Sequence, residues 1–141
     1  MLPSSNNSII RSVKVINEKI FTGCYMDFGY WVKDNYGNLA YTSLVPKLPQ
    51  PLLSDESFWN IVQFEDYVLF QSLKRIYIYN LSDESFKIVD APSKRAVLFK
   101  LGNAVYFQKL NIGVFKIENG EDILVSDEKV LKVQEIIGAF L

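Results

Sequence analysis

Tyr25, Asp27, Tyr30 and Trp31 crowd into one short stretch, CYMDFGYW (24–31). An exposed aromatic ring beside a carboxylate can stack on the face of a sugar and accept hydrogen bonds from its hydroxyls. Tyr25 and Asp27 are therefore candidate ligand-binding residues. Tyr30 and Trp31 carry a second reading, because strand alternation alone can place large rings in a packing layer. Gln71 and Gln108 occupy matching places in a repeat described below. Their amides could meet a polar ligand in a channel, or bond to backbone where neighbouring sheets join; both readings stay open.

Acid–base and nucleophilic chemistry is poorly supplied. The chain has no histidine, which removes the commonest neutral-pH base and the commonest metal ligand. Its single cysteine, Cys24, can form no internal disulfide and has no histidine to activate it. The acidic clusters Asp55-Glu56, Asp83-Glu84, Glu118/Glu121/Asp122 and Asp127-Glu128 lack the D-x-D-x-D-G spacing of a calcium loop. They fall at turns and read as solvated turns; a glycosidase pair would need a spatial closeness that spacing cannot give. No catalytic residue, metal site or cofactor is assigned. Asn6-Asn7-Ser8 and Asn80-Leu81-Ser82 match the glycosylation triplet, a frequent chance match.

The elements that carry these residues emerge from a repeat. LSDESF occurs at 53–58 and again at 81–86. The first copy leads into an opening strand and the second turns between two strands, so their spacing is not the period. Three other stretches do superpose: VKVINEKIFTG (13–23), IVQFEDYVLFQ (61–71) and LFKLGNAVYFQ (98–108). Each reads as strand, two-residue turn, strand, with turns at Asn17-Glu18, Glu65-Asp66 and Gly102-Asn103. A third strand follows at 28–34, 75–81 and 113–119, then a polar turn, then a fourth strand at 39–45, 85–91 and 122–127. Starts at 13, 61 and 98 differ by 48 and 37 residues, the first interval lengthened by the proline-bearing connector PKLPQPLLSDE (46–56). Four short strands at a period of about 40 are the signature of a β-propeller blade. The aromatic third-strand residues Trp31, Tyr77 and Phe115 suit layers packed between blades.

The expected fold is therefore all-β and β-propeller-like, with three four-stranded antiparallel blades plus one strand of a fourth. A single segment 8–141 divides into blade 1 (8–45), connector 46–56, blade 2 (57–92), blade 3 (96–128) and an extra strand (130–137). Composition agrees: 49% of residues are hydrophobic and 20 of 141 are aromatic, 10 Phe, 8 Tyr and 2 Trp. A net charge of −1 without a basic stripe argues against nucleic acid as a direct partner. No apolar run reaches the length of a membrane helix, and the polar start lacks the pattern of a signal peptide. The chain reads either as cytoplasmic or as a piece of a longer exported protein.

Three stretches, IFTGCYMDFGYW (20–31), VLFQSLKRIYIYN (68–80) and VYFQKLNIGVFKIENGE (105–121), resemble blades of the sensor-domain propellers of Bacteroidetes hybrid two-component and triple-tyrosine transcriptional regulators. The resemblance spans about residues 10 to 141 and is mostly structural. Gly23 keeps the small residue that ends the second strand in that family, while Gln71 and Gln108 replace it. The resemblance implies a segment of a periplasmic, non-enzymatic sensor that answers a glycan or oligosaccharide and feeds a transcriptional or phosphorelay response. A protein-interaction scaffold without a small ligand is the alternative. Three blades leave open faces, so the sequence also predicts self-association rather than a monomer.

Overall fold

Hairpin chemistry sets the architecture. The computed structural model describes residues 9–93, 97–101, 104–109, 113–118 and 121–125. Strands β1 (Ser12–Ile16) and β2 (Lys19–Cys24) are joined by the two-residue turn at Asn17-Glu18, and β5 (Asn60–Phe64) and β6 (Tyr67–Gln71) by that at Glu65-Asp66. Asn17 and Glu65 sit at φ 56° and 54°. That conformation suits Asn better than Glu, which bears a left-handed cost of about 1–2 kcal/mol. Each unit continues antiparallel: β3 (Asp27–Lys33) and β4 (Leu39–Ser43) in the first, β7 (Arg75–Asn80) and β8 (Phe86–Asp90) in the second. The third contains β9 (Phe99–Leu101), β10 (Ala104–Lys109), β11 (Gly113–Glu118) and β12 (Glu121–Leu124). All three sheets have sequential strand order, so the expected three four-stranded antiparallel units are present.

Among the described residues almost no helix accompanies them. One 3-10 turn, Val45–Lys47, opens the connector, with Pro46 in its first turn. Among the described residues no helix is long and apolar enough to cross a membrane. The expected strand at 130–137, the turn at Gly102-Asn103, the cluster Asp127-Glu128 and the triplet at Asn6 lie outside the described residues.

Period-two alternation stacks the sheets. In the middle sheet, Val68, Phe70, Tyr77 and Tyr79 face the first sheet and pack on Phe21 and Phe28, with Phe58 from the stretch just after the connector. Leu69, Ile76 and Ile78 face the other way, onto Val105, Phe107 and Ile117 of the third sheet. Phe28 is central to the first layer: its ring stacks on Phe70 with centroids 4.4 Å apart and meets Phe58 edge-on at 4.6 Å. Each such ring contributes about 1.5–3 kcal/mol by burial, plus about 0.5–1.5 kcal/mol from the aromatic pairing. Among the described residues the sheets form an open stack, not a closed ring.

The register shifts one expected equivalence. The first unit's second hairpin closes at Cys24↔Asp27, whereas the middle unit's closes at Gln71↔Ile76. Pairing Ile20↔Trp31, Val68↔Tyr79 and Val105↔Ile117 matches Trp31 with Tyr79 and Ile117, and puts Gly29 level with Tyr77 and Phe115. Tyr77 and Phe115 do pack between sheets. Trp31 faces the opposite side of the first sheet from Phe28, away from the middle sheet.

Candidate functional site

The β2–β3 turn, Tyr25-Met26, projects at one end of the stack, and Met26 takes φ 57° there. The connector crosses this tip: Met26 N–H donates to Glu56 O at 2.7 Å, Tyr25 forms a bridge with Ser57, and Phe58 N–H donates to Cys24 O at 3.0 Å. One residue later the chain changes sheets, as Trp59 N–H donates to Gln71 O at 3.0 Å. The result is a seam between the first and middle sheets with two exposed aromatics on it, Tyr25 (40% exposed) and Trp59 (45%). Arg11 lies 4.4 Å over the Trp59 ring. The Tyr25 hydroxyl donates to Asp55 at 2.6 Å, and Lys74 Nζ donates to Ser54 O at 2.7 Å. The Asp55 hydrogen bond, then its charge, raises the Tyr25 pKa.

The sequence-predicted residues separate. Asp27 opens β3 two residues from Tyr25, but on the outer face of the first sheet its carboxylate accepts the Tyr41 hydroxyl at 3.0 Å and the Ser43 hydroxyl at 2.7 Å. Gln71 is buried at the junction of the middle and third sheets; its amide donates to Val97 O and accepts from the Asn60 amide, each at 3.4 Å. Gln108, its counterpart on β10, is exposed. Tyr30 packs against the core under Lys19, whose Nζ is 4.4 Å from the ring centroid. Trp31 is buried and donates its indole N–H to Thr22 Oγ1 at 3.1 Å. Cys24 is buried at the seam.

Trp59 is the residue sequence reasoning missed. It sits in FWNIVQF, where continuous apolarity hides that Phe58 points into the core and Trp59 does not. Glu56 corrects a second expectation: it is buried (1% exposed) rather than part of a solvated turn. Its Oε1 accepts from Tyr77 OH at 2.6 Å and Leu53 N–H at 2.7 Å, and its Oε2 from Ser72 Oγ at 2.7 Å. The matching Glu84 is exposed and rests near Lys47 at 3.5 Å. Among the described residues no three His, Cys, Asp or Glu side chains form a group that could hold a metal ion.

Burial, then the Glu56 hydrogen bond, raises the Tyr77 pKa well above the ordinary tyrosine value; burial, then the Glu84 charge, pushes Tyr79 up to about 12. Phenols with raised folded-state pKa values favour the fold at pH below their unfolded value near 10, and that contribution is lost as pH rises through the folded values. The melting temperature should therefore fall as pH climbs from about 10 to about 12. Ultraviolet titration should show part of the eight tyrosines ionising late; a single step near the ordinary value would refute this.

Compared with models of known protein families and with curated proteins, the chain matches none.

Proposed function

We propose that the three sheets are consecutive blades of a propeller-type repeat, and that the chain is the ligand-reading segment of a bacterial signal-transduction or transcriptional regulator. It works by binding rather than by catalysis, and its ligand is an oligosaccharide presented to the periplasmic side of the cell envelope. The observation that carries this reading is the seam end of the stack, where Tyr25 and Trp59 stand exposed beside Arg11, Asp55 and Lys74. Two aromatic surfaces set among hydrogen-bonding groups suit an elongated, hydroxyl-rich ligand. Such a ligand touches residues of both sheets at once. It would favour whichever sheet–sheet arrangement holds the two rings at the ligand's spacing, by the difference in its affinity for the two arrangements.

Calorimetry against a panel of soluble neutral and uronic oligosaccharides tests the reading. Trp59→Ala, at an exposed position, should weaken the binding oligosaccharide about tenfold, a loss of about 1.4 kcal/mol, with the fold unchanged by circular dichroism. No binding across the panel, or binding indifferent to Trp59→Ala, would sink it.

A further inference from the structure

Two cations at the seam have no acid to answer them. The Arg11 amide donates to Gly23 O at 2.8 Å, which ties the residue before β1 to the end of β2, and its guanidinium lies over the Trp59 ring. Lys74 is held from the middle sheet. Its amide donates to Ser72 Oγ at 3.1 Å, its carbonyl accepts from the Ala91 amide at 2.9 Å, and its Nζ reaches Ser54 O. Both residues are exposed. Among the described residues neither forms an ion pair, whereas Lys47, Arg75, Lys109 and Lys116 each lie 2.5–3.5 Å from a carboxylate oxygen. Asp55, next to Ser54, is spent on the Tyr25 hydroxyl, and Glu56 is buried on Ser72 and Tyr77.

We infer that the seam reads an acidic sugar, whose uronate carboxylate is taken by Arg11 with Lys74 adding its charge. This rests on the oligosaccharide reading above and names the class of sugar. The Trp59 ring occupies a face of the guanidinium and leaves its N–H edges free. Those donors form a rigid planar fork that matches the two coplanar oxygens of a carboxylate. The Lys74 ammonium, with one bond to a carbonyl, keeps two N–H groups to offer. A neutral sugar makes no use of uncompensated charge. A uronate does, through hydrogen bonds about twice as strong as neutral ones. Asp55 sets the direction of binding. Its charge repels a second carboxylate, so the acidic sugar lies at the Arg11–Trp59 end and the hydroxyl-rich remainder at the Tyr25–Asp55 end.

Calorimetry on the 141-residue chain decides the matter. The probes are galacturonan, glucuronan and hyaluronan oligosaccharides, the same compounds carboxyl-reduced to neutral sugars, and a sulfated neutral oligosaccharide. At least one uronic compound should bind about tenfold or more tightly than its carboxyl-reduced form. Arg11→Gln should abolish that preference while the strand signal in circular dichroism is retained. Arg11→Lys should restore only part of it, because an ammonium lacks the fork. Equal binding of the uronic and reduced forms, binding confined to neutral or sulfated sugars, a preference untouched by Arg11→Gln, or one fully restored by Arg11→Lys would each overturn this inference and leave the oligosaccharide reading standing. No binding by any compound, neutral or acidic, would overturn both.

Discussion

Glu56→Ala destabilises the protein by about 3–5 kcal/mol, while Glu84→Ala, in the identical hexapeptide, changes stability by less than about 1 kcal/mol. The first figure follows from what the alanine abandons. Glu56 accepts from the Leu53 amide, the Ser72 hydroxyl and the Tyr77 hydroxyl. Leaving a buried donor unmet costs about 1–3 kcal/mol each. One of the three can partly recover, which keeps the total below the sum: Ser72 Oγ has Arg75 O at 3.4 Å, whereas Arg75 Nη1, 3.5 Å from Tyr77 OH, only donates and cannot replace the lost acceptor. Glu84 has only weak, solvent-screened partners, Lys47 at 3.5 Å and Tyr79 OH at 3.4 Å. Glu56→Gln should fall between the two, because its carbonyl oxygen can keep the Leu53 and Tyr77 bonds. Urea unfolding of the three variants is the measurement. Equal losses for the two alanines would mean that the buried carboxylate contributes nothing beyond its exposed twin.

Gly23→Val should cost about 3 kcal/mol or more, from overpacking against groups that cannot retreat. A Cβ at Gly23 would meet Ser12 Oγ at 2.5 Å and both Cβ and carbonyl O of Phe58 at 2.8 Å. That carbonyl is held by the Ser12 hydroxyl at 2.7 Å, and the Phe58 amide by Cys24 O. Phe58 itself is fully buried in the first aromatic layer. Relief would demand that the connector lift off the first sheet. A thermal melt reads the loss directly, and a melting temperature within a degree or two of wild type would show the seam to be looser than drawn.

These two residues also mark where the sequence was legible and where it was not. Strands at 75–81 and 113–119 were anticipated and are observed at Arg75–Asn80 and Gly113–Glu118. Period-two alternation and short turns are local signals, carried whole within a dozen residues. Glu56 left no such trace. Its partners Ser72 and Tyr77 lie 16 and 21 residues further on, and the same six letters at 81–86 form a solvated turn. Identical local sequence took different structures because only one copy lies beneath a neighbouring hairpin. Trp59 was hidden for a related reason: the strand period breaks where the chain changes sheets, between Phe58 and Trp59. The swap of Gly29 for Trp31 opposite the later aromatics came from hairpin length, which apolar patterning does not report.

That change of sheets has a consequence for how the molecule comes apart. Residues 56–58 are bonded to the first sheet and the next residue to the middle one, with the Glu56 carboxylate pinned under Ser72 and Tyr77. The first two sheets are therefore laced by main chain as well as packed by rings, and neither can fray without unlacing the other. Among the described residues, the Gln71–Val97 bond at 3.4 Å is a corresponding polar tie between the middle and third sheets, over a smaller, mostly aliphatic layer. In a quasi-linear array whose stability sums over neighbouring joints, opening begins at the joint with least to lose. The fold behaves as a locked pair carrying a detachable third leaf.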